Sequence, residues 1–147
     1  DRIEGKKVPD NQGAEGLSLG KELHISYEMK LDEGSPNALV LEDGSLSGFM
    51  FVDAGPFLAQ TGADFTDWGY VDLYRAYDPV RGNRNRLIVS SKGEQIADAK
   101  LIKPLPVDNF EGVAIGVSPE GKQRLWVISD NNFNESQRTL LFAFDLD

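Results

Sequence analysis

The 147-residue sequence lacks several residue types that common functional classes require. It has no cysteine, which excludes disulfide frameworks, thiolate zinc sites and thiol nucleophiles. It has one histidine, His24, so no multi-histidine metal site can form, and any Ser-His-Asp triad would need this residue. No apolar run approaches the roughly 18 residues of a membrane helix, and no stretch has the pattern of a signal peptide.

Basic residues are also scarce, with 15 Lys and Arg against 24 Asp and Glu, for a net charge of −9. Such an acidic surface repels the phosphates of nucleic acids and of anionic lipids. We therefore expect neither nucleic acid nor a membrane to be a main partner. The same charge suits hard cations such as Ca²⁺, which bind through carboxylate and carbonyl oxygens.

Local patterns predict strands throughout the chain. Residues 22–28 alternate between apolar and polar side chains, and Asp43-Gly44 and Lys92-Gly93 are typical of hairpin turns. Near the end, apolar runs predict strands at 112–117, 124–129 and 139–145 of a blade-like unit. No helix longer than about two turns is predicted, so the fold class is all-β.

A repeat organises these strands. Residues 11–19 resemble residues 108–115, and a weaker copy begins near residue 62. The acidic residues of the three copies, Glu15, Asp64 and Glu111, are separated by 49 and 47 residues. A β repeat of about 40 to 50 residues is typical of a β-propeller with one four-stranded blade per repeat. We therefore predict a single partial propeller over residues 1–147, with about three blades that begin near residues 11, 62 and 108.

Three blades are too few for a closed ring, because propellers typically have about four to eight. An open half-ring would leave apolar sheet faces exposed to water. We therefore expect that a missing propeller half or another subunit completes the fold.

The acidic residues of the repeat predict a calcium site. In a propeller, equivalent positions of successive blades converge on the central channel, so Glu15, Asp64 and Glu111 are expected to lie close together. Neighbouring carboxylates repel one another unless a cation neutralises them. Asp130 and Asn131 are expected to complete the ligand shell. Further amide oxygens are available from Asn11, Asn109 and Asn132. The alternative is that these residues only form turns and cap sheet edges.

Four arginines, Arg75, Arg81, Arg84 and Arg86, lie within twelve residues of this acidic chain. Arginine binds phosphate through two parallel hydrogen bonds, and a neighbouring divalent cation would suit phosphoester hydrolysis. Arg75, Arg84, Arg86 and Arg138 are therefore candidates for substrate binding. The alternative is that these arginines form ion pairs with nearby acids.

Three segments, at residues 108–114, 125–133 and 137–141, resemble the bacterial family called "esterase-like activity of phytase", or phytase-like domains. Residues 11–17 are similar to an earlier copy of that family's motif, and residues 73–86 to its middle segment. The resemblance implies a longer β-propeller, of which this chain resembles the C-terminal half. It also implies hydrolytic activity and a periplasmic or extracellular location.

These features favour a calcium-dependent hydrolase of phosphoesters or carboxylic esters. Glu111 and Asp130 are the candidate catalytic residues. The alternative is a non-enzymatic propeller module that binds a ligand or a protein and holds a structural calcium ion. The metal chemistry favours the hydrolase, whereas the absence of a Gly-x-Ser-x-Gly nucleophile motif favours the binding module.

Overall fold

The computed structural model describes residues 2–3, 5–10 and 12–146. Asn11, near which the first repeat was predicted to begin, lies outside the described residues. All described residues form strands, turns or loops, so the prediction of an all-β fold is confirmed. Within these ranges there is no helix of the length and apolar character needed to cross a membrane.

A short hairpin precedes three larger antiparallel sheets, which we call blades 1, 2 and 3. Within each sheet, every strand pairs with the next one along the chain. The hairpin contains β1 (Arg2–Ile3) and β2 (Lys6–Lys7). Blade 1 contains β3 (Ala14–Leu19), β4 (Leu23–Tyr27), β5 (Ser35–Val40) and β6 (Leu46–Val52). Blade 2 contains β7 (Ala59–Phe65), β8 (Tyr70–Asp78), β9 (Gly82–Ser91) and β10 (Glu94–Leu101). Blade 3 contains β11 (Phe110–Val117), β12 (Gln123–Ser129) and β13 (Leu141–Leu146).

The strands of blade 3 match the predicted ones closely. Strand β11 begins two residues earlier than expected, and β13 begins two residues later. The late start of β13 results from a side-chain hydrogen bond. The Leu140 amide donates to Ser129 Oγ at 2.8 Å instead of to a neighbouring backbone carbonyl. The Ser129 amide in turn donates a hydrogen bond to the Leu140 carbonyl at 3.0 Å. The Ser129 hydroxyl therefore replaces one backbone acceptor of the ladder just before β13 begins.

The innermost strands β3, β7 and β11 lie side by side, with β7 in contact with both of the others. In each of them the pairing register shifts immediately before a glycine, at Gly16, Gly62 and Gly112. Such a shift is a β-bulge, and it gives each blade the same reference point. Residues of different blades can therefore be compared by counting from this glycine.

By this count, the bulge residues that precede the three glycines are Glu15, Thr61 and Glu111. The prediction that Asp64 occupies the position equivalent to Glu15 and Glu111 is therefore wrong. Asp64 lies three residues further along β7, paired with Val71. Acidic side chains do not mark equivalent positions in the three copies, because the bulge is a backbone feature that the following glycine marks.

An apolar core fills the space between blades 2 and 3. Blade 2 contributes one face of its central strands, and blade 3 contributes the facing side of β11 and β12. The fully buried side chains of this core are Val71, Leu73, Leu87, Val89, Leu101, Phe110, Leu125 and Val127. Phe142 packs on Phe110 with ring centroids 5.0 Å apart. Burial of this apolar surface from water fixes blade 3 against blade 2.

The opposite face of blade 3 is open. Trp126 and Ile128 occupy in β12 the register positions that Val71 and Leu73 occupy in β8. Val71 and Leu73 are 0% exposed because blade 3 covers them, whereas Trp126 is 37% and Ile128 45% exposed. The positions that face the next blade are therefore apolar in blade 3 as well, but they have no covering sheet among the described residues.

Blade 1 is open in the complementary sense at its inner strand β3, whereas Ile3 and Val8 form an apolar cluster with Phe49 and Phe51 of its outer strand β6. Leu17 and Leu19 of β3 are equivalent to Ala63 and Phe65 of β7, which blade 1 covers. Ala63 and Phe65 are 8% and 6% exposed, but Leu17 and Leu19 are 69% and 79% exposed. Blade 1 thus exposes the positions that blade 2 buries against blade 1, and blade 3 exposes the positions that blade 2 buries against blade 3.

Because these faces are apolar, the purified chain is expected to self-associate, so sedimentation velocity should show concentration-dependent species heavier than 16.2 kDa. Ile128→Lys should shift the distribution towards the monomer, because it places a charge on the open face of blade 3. Val80→Lys is the matched control, since Val80 is exposed on the loop between β8 and β9. A stable monomer at every concentration would contradict the expectation.

Blades 1 and 2 enclose a polar cluster around Asp72, which is 0% exposed. Its Oδ1 accepts hydrogen bonds from Gln60 Nε2 at 2.7 Å and from Asn37 Nδ2 at 3.3 Å. Its Oδ2 has no partner among the described residues. Burial raises the pKa of Asp72 to about 7, although the bonds from Asn37 and Gln60 oppose this change.

The protonated Asp72 is therefore favoured in the fold, and its contribution to stability is present at low pH and lost as pH rises from about 4 to 7. Asp72→Asn stays neutral, so it should remove roughly 3 kcal/mol of the difference in unfolding free energy between pH 5 and pH 8. Chemical denaturation at both pH values measures this difference. Asp32→Asn, at an exposed acid, is the control, and an unchanged pH dependence in Asp72→Asn would refute the assignment.

Candidate functional site

Charged side chains gather at the ends of the inner strands where the bulges lie. Glu15 and Glu111 are the bulge residues of blades 1 and 3. At the end of the second strand of each blade, counting from the bulge glycine makes Arg75 of blade 2 equivalent to Glu28 of blade 1 and Asp130 of blade 3. The middle blade therefore has an arginine where its two neighbours have acids.

Arg75 and Glu111 form an ion pair across the boundary between blades 2 and 3. Arg75 Nη2 lies 3.3 Å from Glu111 Oε1, and both side chains are partly buried. The same oxygen accepts a hydrogen bond from Asn109 Nδ2 at 2.7 Å. Asn109 is itself buried, and its carbonyl accepts a bond from the Asp130 amide at 2.9 Å. Glu111 is thus held in place by Arg75 of β8 and by Asn109, which immediately precedes β11.

Glu15 experiences the charges of the same group. Burial raises its pKa, the carboxylates of Glu28 and Glu111 raise it further, and Arg75 opposes them. Glu15 and Glu111 are therefore within range of each other's charge, and Glu28 is an additional acid of this group. Sequence reasoning did not assign Glu28, although the acid that follows β4 matches the acid that follows β12.

Asp64 is part of a different arrangement, which ties the three inner strands together. Its Oδ1 accepts hydrogen bonds from the Ser18 hydroxyl of β3 and, at 2.9 Å, from the Phe65 amide. Its Oδ2 accepts from the Ile115 amide of β11 at 2.7 Å. The carboxylate thus satisfies donors from all three blades, which is a structural role.

Asp130 and Asn131 lie in the loop between β12 and β13, where both cap a turn. The Asn132 amide donates to Asp130 Oδ1 at 2.9 Å, and the Phe133 amide donates to Asn131 Oδ1 at 3.1 Å. Asn132 and Phe133 have left-handed backbones, with φ of 49° and 54°. These bonds correspond to the turn-capping alternative that the sequence left open.

Two of the four candidate arginines form pairs with acids away from Glu15 and Glu111. Arg86 donates to both oxygens of Asp98, at 2.8 and 2.6 Å, and also to the Ala54 carbonyl. Arg138 Nε lies 3.5 Å from Oδ2 of the buried Asp108, which also accepts from the Arg138 amide at 3.1 Å. Both pairs follow the ion-pair alternative from the sequence.

Arg84 differs from the other three candidate arginines, because its side chain makes no ion pair or hydrogen bond with the described residues. It lines a cavity of about 420 Å³ beside the loop between β6 and β7, together with Lys100 and Arg86. Arg84 and Lys100 give the lining of this cavity a positive charge, and the acids that act on them, Asp78 and Asp98, are not part of the lining. This cavity is therefore suited to an anionic group.

Cation binding depends on how closely the acids assemble. Among the residues that the structure describes, no group of three or more acidic or histidine side chains is arranged to hold a metal ion. The charge of Glu111 acts on Glu15, but Asp64 and Asp130 accept hydrogen bonds from backbone amides elsewhere. A cation at Glu15 and Glu111 would therefore need amide, backbone or substrate oxygens as well.

Comparison with known proteins identifies a family. The family described as "Phytase-like: Esterase-like activity of phytase" matches residues 31–133, which is more than half of the chain. No curated protein matches the chain. No solved structure matches it either.

Replacing Asp64 by alanine should lower the free energy of unfolding by about 2–4 kcal/mol, because donors on β3 and β11 lose their acceptor. The loss should be equal with added calcium and with chelator if the carboxylate acts only as a clamp. Asp130→Ala, which removes one exposed turn bond, should cost less than about 1 kcal/mol. A destabilisation of Asp64→Ala that appears only in calcium would instead make Asp64 a metal ligand.

Proposed function

The chain belongs to the phytase-like family described as "esterase-like activity of phytase", and on this basis we propose that it acts as a calcium-dependent hydrolase of phosphoesters or carboxylic esters. One observation carries the proposal: the charges of Glu28 and Glu111 both act on Glu15, and Arg75 is part of the same group. Excess carboxylate charge attracts a cation, and the adjacent guanidinium attracts the anionic group of a substrate.

Glu15 and Glu111 are the residues proposed to hold calcium. The raised pKa of Glu15 is the observation that fits a cation, because a bound positive charge would relieve the repulsion from Glu28 and Glu111. When bound, calcium would neutralise these carboxylates and polarise the ester or phosphate group of the substrate. The side-chain oxygens of Asp64, Asp130 and Asn131 accept hydrogen bonds from backbone amides. We therefore propose that these three residues support the site and do not bind calcium directly.

Arg75 is proposed to bind the substrate. Its side chain is partly exposed, and it pairs with Glu111 through Nη2. Because Nε is buried, the N–H groups of the two terminal nitrogens are the ones proposed to donate to a phosphate or carboxyl oxygen. Arg84 lies near the same end of blade 2, and its cavity suits a second anionic group of a larger substrate.

Proton transfer is proposed for the two glutamates. Hydrolysis adds water to phosphorus or to the carbonyl carbon, breaks the bond to the alcohol oxygen, and moves a proton from water to that oxygen. Glu15 forms no ion pair with the described residues, so its carboxylate is proposed as the base that accepts this proton. Glu111 is fixed by Asn109 and Arg75, so it is suited to orienting the attacking water.

A second candidate function is a non-enzymatic binding module with structural calcium. The observation that favours it is the position of His24, which stacks on Phe65 at the opposite end of the inner strands. No histidine base is therefore available to Glu111. For both functions we propose an exported protein, as the family resemblance implies, in which further blades cover the open faces of blades 1 and 3.

Calcium should raise the melting temperature and support turnover of 4-nitrophenyl phosphate or 4-nitrophenyl acetate, because it binds the folded state preferentially. Glu111→Gln should lose most of the turnover and most of the calcium-dependent stabilisation, since it removes one charge that attracts the ion. Glu94→Gln, which replaces an exposed acid on β10, is the matched control.

Turnover that persists in chelator and in Glu111→Gln would overturn the hydrolase proposal. Stabilisation by calcium without turnover of either substrate would support the binding module instead. If neither turnover nor stabilisation occurs, both proposals fail for this chain.

A further inference from the structure

A second candidate site lies at the far end of blades 1 and 2. A cavity of about 600 Å³ opens between the β3–β4 turn and the β7–β8 turn. The bulge residue Glu15 is near the start of β3, whereas the cavity lies beyond its end at Leu19. The cavity is thus separated from the acidic group by the length of the inner strands.

Aromatic side chains line this cavity. His24 and Phe65 stack with centroids 4.2 Å apart and planes inclined by 5°, and Phe65 stacks on Tyr70 at 5.6 Å and 19°. Trp68 and Met50 complete the apolar lining. Small-molecule sites have volumes of about 300–1,000 Å³ and similar aromatic walls. The near-parallel rings favour a ligand that is itself planar.

His24 behaves as part of this aromatic wall. Burial lowers its pKa, although the Glu22 carboxylate opposes the change. Its Nδ1 is buried and has no hydrogen-bond partner among the described residues. The imidazole is therefore neutral at pH 7, and it presents an uncharged aromatic ring next to Phe65.

The turn that carries Trp68 is held rigidly. Thr66 and Gly69 exchange backbone hydrogen bonds of 2.8 and 3.2 Å, and Ser91 Oγ donates to the Trp68 carbonyl at 2.6 Å. A Cβ on Gly69 would collide with the Ser90 carbonyl, so the turn packs directly on the end of β9. A wall that is already ordered loses little conformational entropy when a ligand binds.

The charges at the rim suit a single negative charge on the ligand. Lys21 is paired with Asp67 at 3.7 Å, whereas Lys92 makes no ion pair with the described residues. Glu22, on the blade 1 side, would repel a second negative charge. Lys92 is thus the cation available to the ligand.

The backbone of Lys92 is unusual as well. Lys92 and Gly93 form the β9–β10 turn with φ of 52° and 82°. A turn with two positive φ values favours Asn-Gly, and lysine is less well suited to the first position. Lysine is thus present at the cavity rim in spite of a local conformational cost.

We propose that this cavity binds a planar aromatic molecule that carries one anionic group. The ring lies against the wall formed by His24, Phe65 and Tyr70, and the anionic group contacts Lys92. The site is independent of the proposed hydrolase, because it uses neither Arg75 nor the acidic residues at the bulges.

The single histidine provides a specific probe, because its imidazole C–H signals are the only ones of their kind in an NMR spectrum of the chain. 2-Naphthoate should shift these signals through its ring current, with saturation. 2-Naphthamide, which has the same ring without the charge, should bind roughly tenfold more weakly, as expected for loss of one charge-assisted contact. Decahydro-2-naphthoate, which has the charge without an aromatic ring, should also bind more weakly.

Lys92→Asn should reduce the affinity for 2-naphthoate to that for 2-naphthamide and leave 2-naphthamide binding unchanged. It should also raise the melting temperature, because asparagine adopts the left-handed turn more readily. Lys7→Asn, at a lysine on the N-terminal hairpin, is the matched control for charge. Met50→Trp should fill the cavity and abolish binding of both aromatic probes.

Three results would each overturn the proposal. These are no saturable shift of the His24 signals with 2-naphthoate, an unchanged ratio of the two affinities in Lys92→Asn, and full binding in Met50→Trp. The melting temperature of each variant, measured without ligand, confirms that the variant is folded.

Discussion

The close approach of the inner strands at their bulge glycines is the constraint on which the rest of this structure depends. A Cβ on Gly62 would lie 2.9 Å from the Glu111 carbonyl oxygen, and one on Gly16 would lie 3.1 Å from the Ala63 amide. Only glycine permits this approach without displacing backbone. It allows Thr61 to bond to the Phe110 carbonyl at 3.1 Å, and it places the acids of blades 1 and 3 within electrostatic range.

The site shows how repeats can differ in charge while they keep the same backbone. Blades 1 and 3 have an acid at the bulge, whereas blade 2 has Thr61 there. Blade 2 also has Arg75 at the position that holds Glu28 in blade 1. Three identical acidic copies would repel one another strongly. The arginine in the middle copy offsets part of this repulsion and creates a mixed site with both charges.

Much of the fold could be predicted from local patterns, because alternation, turn dipeptides and repeat length each report on backbone structure. The all-β class and the strands of blade 3 were predicted correctly for this reason. The role of Asp64 could not be predicted, because its donors Ser18 and Ile115 belong to other blades and meet it only in three dimensions. The pairing of Arg86 with Asp98 likewise depends on the register between β9 and β10. Charge patterns identify candidates, but packing decides which of them meet.

The open faces of blades 1 and 3 have a consequence for cooperativity. In an array of similar units, the stability of each unit depends on the contacts with its neighbours. Blade 2 is covered on both sides, whereas blade 3 is covered on one side only and the outer side of blade 1 is covered only in part, by Ile3 and Val8 of the N-terminal segment. Local unfolding is therefore expected to begin at the two ends and to spread inwards, leaving the amides of β8 and β9 as the slowest to exchange with solvent.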